Sequence, residues 1–270
     1  MSRICYVYPA KPTASLDSRR KLFDILKKKG AIKPDTEISI KPIDKSTLSL
    51  EPYTETLYFD LLQRQYTVEA AIQAEKEGYD AVILACYFDP GLEEAREVVK
   101  IPVVGVAEAS FAFAHMLGRK RGSIAIVVIA EKGVLKTLDV IEKYGFSSQL
   151  ISTRPVRQVS LEAYMKGMTT GNASDIQALK DEFAKVAMEC IRDGAEVIIP
   201  GCAGLGPFLT TEGVVEIEGV PILDCVTCAI KMAENLIDLQ KLGMSVSRRL
   251  MYRQPGEEDW KRERENFGLT

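Results

Sequence analysis

Six cysteines are spread through this 270-residue chain, and two of them, Cys86 and Cys202, close segments that echo one another. Residues 78–86 read GYDAVILAC and residues 194–202 read GAEVIIPGC. Each segment has a glycine suited to ending a helix, an acidic residue shortly after it, an apolar run, and a cysteine where that run stops. Each is followed by a turn rich in glycine and proline, Asp89-Pro90-Gly91 in one and Gly204-Leu205-Gly206-Pro207 in the other. A matching strand and helix then resume, IPVVGVAEA from Ile101 and VPILDCVTCA from Val220. The offset is 116 residues at the cysteines and 119 at Pro102 and Pro221, which is a duplicated half rather than a short repeat.

A cysteine at the carboxyl end of a strand, ahead of a helix start, meets open backbone N–H groups and the positive end of a helix dipole. That setting favours thiolate. The same N–H groups can hold a carboxylate, or a carbonyl oxygen that gains negative charge. One such thiol would serve hydrolysis, addition or protonation from one face. Two related by pseudo-symmetry suit inversion of a stereocentre, one taking a proton from one face while the other delivers to the opposite face. The active form would then hold one thiolate and one thiol, titrating as a coupled pair. No cofactor is expected: a single histidine leaves no zinc set, and neither a Gly-x-Gly-x-x-Gly nor a Walker pattern is present.

Holding two thiols in this way calls for paired strands. Short β-branched runs alternate with amphipathic stretches, and strands are expected at residues 4–8, 37–41, 81–85, 103–105, 123–128, 196–199 and 221–223. Several are continuously apolar, as in a parallel sheet covered on both faces. A helix is expected from Ser174, with Gln177 completing a capping box and Ile176, Leu179, Phe183, Val186 and Cys190 along one face. The pattern is that of an α/β fold built as two similar halves, with a ligand crevice beyond the carboxyl ends of the strands.

Composition limits the partners. Hydrophobic residues at 46% and charged residues at 27% suit a soluble globular protein. A net charge of −3 without a basic stripe argues against nucleic acid, and Lys27 to Lys29 and Arg19-Arg20-Lys21 read as solvated helix faces. The opening MSRICYVYPAKP lacks the long apolar region of a signal peptide, and no 18-residue apolar run follows, so no membrane partner is expected. A cytoplasmic location follows from this reading, with all six cysteines as free thiols. In the polar tail after Pro255, Trp260 and Phe267 are the expected anchors.

At these segments the sequence resembles the aspartate/glutamate/hydantoin racemase superfamily, most closely its hydantoin racemase branch. The likeness rests on ACYFDPGLEEAREV, PVVGVAEASF, PGCAGL and GVPILDCVTCAIKMAENL, and extends from about residue 51 to residue 241. It implies two Rossmann-like parallel-sheet domains related by a pseudo-twofold axis, one of residues 1–112 plus 226–270 and one of residues 113–225, with the active site between them. It further implies a homo-oligomer that racemises hydantoins or amino-acid-like acids, with Cys86 and Cys202 as the bases. The chain departs from the family at Tyr8-Pro9-Ala10-Lys11-Pro12-Thr13, where an Asn-Pro-Asn-Thr run is usual, and at Val128-Ile129-Ala130-Glu131, where a threonine loop is usual. Tyr87-Phe88 are also bulkier than the residues common there. The positions expected to line the substrate pocket are Pro9, Ala10, Tyr87, Phe88, Glu108, Ala130, Ala203 and Gly204.

Other constellations carry less. His115 lies in the apolar run Phe111-Ala112-Phe113-Ala114 and reads as a satisfied helix histidine. Cys225 and Cys228 form a C-x-x-C at a helix start and read as packing, with redox activity as the other reading; Cys5 and Cys190 read as core. Asp224 is the rough counterpart of Glu108, and either acid could orient a substrate or a helix end. Two other functions stay open: cis-trans isomerisation of a small dicarboxylate through covalent cysteine addition, and ligand binding without turnover.

Overall fold

A computed structural model describes residues 1–8, 15–42 and 56–269. The first half runs β1 (Ser2–Tyr8), α1 (Ser15–Lys28), β2 (Thr36–Pro42), α2 (Leu57–Lys76), β3 (Ala81–Leu84), α3 (Leu92–Val98), β4 (Val103–Gly105) and α4 (Val106–Leu117). Its four strands are all parallel, in the order β2-β1-β3-β4. The second half repeats the plan: β5 (Ile124–Val128), α5 (Glu131–Lys143), β6 (Val156–Gln158), α6 (Leu161–Thr169), α7 (Ala173–Arg192), β7 (Val197–Pro200), α8 (Leu205–Thr211), β8 (Glu216–Ile217), β9 (Val220–Pro221) and α9 (Cys225–Lys241). Its parallel sheet has the order β6-β5-β7, and a parallel bridge from Ile198 to Ile222 puts the end of β9 where β4 lies in the first sheet. A last helix, α10 (Glu257–Asn266), follows. Among the described residues no helix is long and apolar enough to cross a membrane.

Side chains alternate across each strand, and this alternation sorts the core. Ile4, Tyr6 and Tyr8 of β1 and Ile124, Ile126 and Val128 of β5 share one buried cluster with α4 and α9. The opposite faces carry separate clusters, Cys5 and Val7 in one and Ala125 and Val127 in the other. One common core therefore joins the halves, and each half keeps a second core of its own. The expected boundaries fall inside α4 (112/113) and in the first turn of α9 (225/226). Cys225 and Cys228 open α9 within the common core, and Cys5 and Cys190 are fully buried.

Several local expectations need correction. The helix expected at Ser174 opens one residue earlier after Asn172, and no capping box forms; Gln177 instead reaches forward to Asp181 at 2.7 Å. The inward stripe runs through Leu179, Phe183, Ala187 and Cys190, leaving Ile176 and Val186 at its margins. Strand β6 was not expected, because it is three residues long and centred on Arg157. Phe267 is 79% exposed and anchors nothing among the described residues; α10 is held by Arg264, which grips both carboxylate oxygens of Glu69 at 2.6 and 2.8 Å. Arg20 and Lys21 are solvated, but Arg19 is not: it is 2% exposed. It shares the inward stripe of α1 with Leu16, Leu22, Phe23 and Leu26.

Candidate active site

The two cysteines stand two residues beyond the ends of β3 and β7. Each sheet ladder extends one residue past its strand: Ala85 N donates to Val7 O at 3.0 Å and Gly201 N to Val127 O at 2.8 Å. The following residue is thereby aimed off the sheet edge. At Gly201 any side chain would strike Ile126 and Val128, at 2.7 and 2.9 Å, and would meet the Tyr87 ring at 3.2 Å. Tyr87 belongs to the first half, so the glycine lets the two cysteine loops meet. Both thiols line one cavity enclosing about 690 Å³ of space, part of it open to solvent.

Each sulfur accepts a hydrogen bond from the backbone N–H two residues on. Phe88 serves Cys86, and Gly204 serves Cys202 at 3.3 Å. The helices that follow begin six and three residues later, so only Cys202 lies close to a helix start. Burial pushes the Cys86 thiol up to about 12; the Phe88 N–H and Lys136 work against the rise, and Asp89 and Asp60 add to it. Lys136 sits 4.2 Å over the Phe88 ring and pairs with Asp60 at 2.9 Å. Asp60 also receives Arg64 Nε at 3.0 Å. Burial disfavours the Asp60 charge, but these two cations more than offset it and hold the carboxyl below its ordinary range.

Cys202 has different neighbours. Tyr164 Oη lies 3.8 Å from its sulfur. Burial first, then the nearby Cys202, raise that phenol well above the ordinary tyrosine value, so it remains protonated. The Arg19 guanidinium stacks 4.7 Å over the Tyr8 ring, with Nη2 3.2 Å from where a side chain on Gly204 would begin. Burial opposes its charge, and Tyr6, Tyr8, Tyr164 and Cys202 more than compensate. A fixed positive charge is thus built in beside this thiol.

Of the residues expected to line the pocket, Cys86, Tyr87, Phe88, Cys202, Ala203 and Gly204 do so. Ala130 is the N-cap of α5, between the lining residues Ile129 and Gly133. Glu108 is engaged elsewhere, its carboxylate held by both terminal nitrogens of Arg96. Pro9 and Ala10 lie outside the described residues. Asp224 caps α9 through the N–H groups of Val226 and Thr227, both at 3.1 Å, and His115 Nδ1 bonds Gln149 at 2.8 Å. Among the described residues no cluster of three or more histidine, cysteine or acidic side chains could hold a metal.

Sequence reasoning missed Tyr8, Arg19, Gln63 and Tyr164 as lining residues. A signal for two of them existed. Arg19 falls on the apolar register of α1, and Gln63 on the inward register of α2, which reads Asp60, Gln63, Thr67, Ala71 and Ala74. Polar side chains at buried helical positions point to a site rather than to a core.

The Asp/Glu/Hydantoin racemase family model matches residues 41–233. A hydantoin racemase from Pseudomonas sp. (strain NS671) is 32% identical over 240 residues, 89% of this chain and 88% of that protein. An allantoin racemase from Klebsiella pneumoniae shares the fold with a TM-score of 0.72 at 22% identity, over 95% of each chain. The crystal structure of an allantoin racemase from Pseudomonas fluorescens gives a TM-score of 0.70 at 26% identity, over 94% of this chain and 97% of that one.

Proposed function

The chain belongs to the Asp/Glu/hydantoin racemase family, and from that premise we propose that it inverts a carbon acid by two-base proton transfer between Cys202 and Cys86. The observation that carries this reading is that one thiol from each repeated half lines a single cavity, each with an N–H from the residue two positions on. The substrate is a hydantoin or an amino-acid-like acid, whose hydrogen next to a carbonyl is acidic enough for a thiolate to remove. In one direction Cys202 acts as the base, its sulfur lying beside Gly204 N–H, the Tyr164 hydroxyl and the Arg19 guanidinium. Cys86, which burial keeps protonated, delivers its proton to the opposite face. The roles reverse for the other enantiomer. In this reading the active site is the cleft between a first domain of residues 1–112 plus 226–270 and a second of residues 113–225, the division that the family resemblance implies.

The test is to replace each thiol singly with serine and follow optical rotation of a 5-monosubstituted hydantoin and of free aspartate and glutamate. Either C86S or C202S should lower racemisation by about 10²–10⁴-fold while leaving the circular dichroism spectrum unchanged. A single serine variant that racemised at the rate of the unaltered protein would rule out two-base transfer. A stable substrate adduct on one cysteine, seen in the intact mass, would redirect the chemistry to covalent isomerisation.

A further inference from the structure

Gln63 lines this cavity with both polar ends of its side chain open. It is 3% exposed and lines the same pocket as the thiols, and among the described residues neither Nε2 nor Oε1 has a hydrogen-bond partner. A buried carboxamide with both ends open is uncommon, because donor and acceptor have each given up water without replacement. The surroundings hold the side chain there. Thr56 caps the first turn of α2, Asp60 one turn earlier is tied to Lys136, and Thr67 and Ala71 continue the same buried stripe. Gly91, in the loop after Cys86, packs against the Arg64 carbonyl, where any side chain would come within 2.9 Å. Gln63 is therefore fixed beside the Cys86 loop.

We infer that Gln63 is a specificity-determining residue that reads a cis-amide edge of the substrate, one C=O and one N–H side by side, through a pair of hydrogen bonds. The inference rests on the proposed racemase reading and narrows its substrate class to cyclic ureides and imides. The complementarity is chemical. A carboxamide offers a donor and an acceptor about as far apart as those on a lactam or ureide edge, so one face-to-face pairing satisfies all four groups. A carboxylate offers only acceptors and would leave Oε1 facing another oxygen. An ammonium offers only donors and would leave Nε2 unmatched. A zwitterionic amino acid thus fails at one end of Gln63 in either orientation, whereas a hydantoin ring presents a matching edge on either side of its N3–H. Sites built around a buried hydrogen-bonding pair reject ligands that lack it far more strongly than apolar pockets reject a change of size.

The test uses binding, with probes that cannot racemise. 5,5-Dimethylhydantoin has no hydrogen at C5 and keeps both N–H groups; 1,3,5,5-tetramethylhydantoin has the same ring with both N–H groups methylated. By calorimetry the unaltered protein should bind the dimethyl probe at least about tenfold more tightly. Gln63→Met, which keeps length but loses both polar groups, should weaken the dimethyl probe by about tenfold and leave the tetramethyl probe nearly unchanged, so that the discrimination collapses. Gln63→Leu, which also removes both polar groups, should do the same should the methionine variant not fold. A preference that persists in these variants would show that ring size or another residue reads the substrate and would overturn the inference. So would equal affinity of the unaltered protein for the two probes, or failure to bind either at millimolar concentration. Because neither probe has a hydrogen at C5, these results stand apart from the serine variants: loss of discrimination with a fully active C86S would sink only the two-base reading, and the converse would sink only the role of Gln63.

Discussion

The Cys86 and Cys202 halves are built on the same plan, yet they support the segment after each thiol by opposite means. In the first half Asp89, in the loop after the cysteine, reaches across to the start of α4 and accepts from Ala107 N at 3.2 Å and Glu108 N at 3.0 Å. Gly105 stands at the N-cap and leaves room for that carboxylate. In the second half the carboxylate, Asp224, stands at the N-cap itself, and the glycine, Gly206, lies against it in the first turn of α8. The thiol environments differ in the same unequal way. Cys86 faces Lys136, whose charge is shared with Asp60, whereas Cys202 faces Arg19 and the Tyr164 hydroxyl. A duplicated scaffold thus presents two thiols in unlike surroundings, one buried beside a cation already paired with a carboxylate and one beside a hydroxyl and a guanidinium.

Changes that erase this difference should have the largest effect. Arg19→Met removes the fixed charge beside Cys202 and is expected to lower kcat/KM by about 100-fold. Arg19→Lys should recover part of that loss. Steady-state racemisation across pH gives both numbers, and a flat response to Arg19→Met would remove Arg19 from the account.

A smaller effect, on stability, comes from the caps. Gly105→Ala sets a methyl group against the Asp89 carboxylate, which Tyr144 Oη also holds at 2.9 Å. Since that carboxylate cannot swing away, the variant should lose about 1–3 kcal/mol in urea unfolding. Gly206→Ala should lose a similar amount against Asp224.

Asp89 adds a pH signature. Burial raises its carboxyl to about 7, against the N–H bonds that favour its charge. The folded state therefore binds a proton more tightly than the unfolded chain does. The associated stability is fully present below the ordinary carboxyl value of 3.8 and is lost as pH rises through 7. Urea midpoints measured from pH 4 to 8 should show this decline, and Asp89→Asn should flatten it. Tyr164→Phe is expected to have the smallest effect, a loss of less than about tenfold in kcat, because Gly204 N–H still supports the Cys202 sulfur.

The plan of the fold was legible because its carriers are apolar and repeated. Val82 to Leu84 and Val197 to Ile199 are buried on both sides, and such runs announce parallel strands. The shortest pieces were not legible. The β8–β9 pairing depends on a turn in which Glu218 and Gly219 both take positive φ, and only two residues on each side form strand. The thiols stood out because they occupy equivalent ends of repeated strands. Arg19 and Gln63 did not, since reading periodicity from apolar residues alone passes over a polar side chain on a buried register. Glu108, read as an acid that could orient a substrate group or a helix end, instead pairs with Arg96 from the neighbouring helix, a contact that no local pattern announces.

Whether two thiols act from opposite faces is tested most directly by the fate of the proton. A single enantiomer of 5-benzylhydantoin, racemised in deuterated water and stopped at low conversion, should yield product bearing deuterium at C5 and recovered starting material bearing none, because the incoming deuteron arrives from the second sulfur. Equal labelling of both enantiomers at low conversion would mean that one base serves both faces, and would contradict the account.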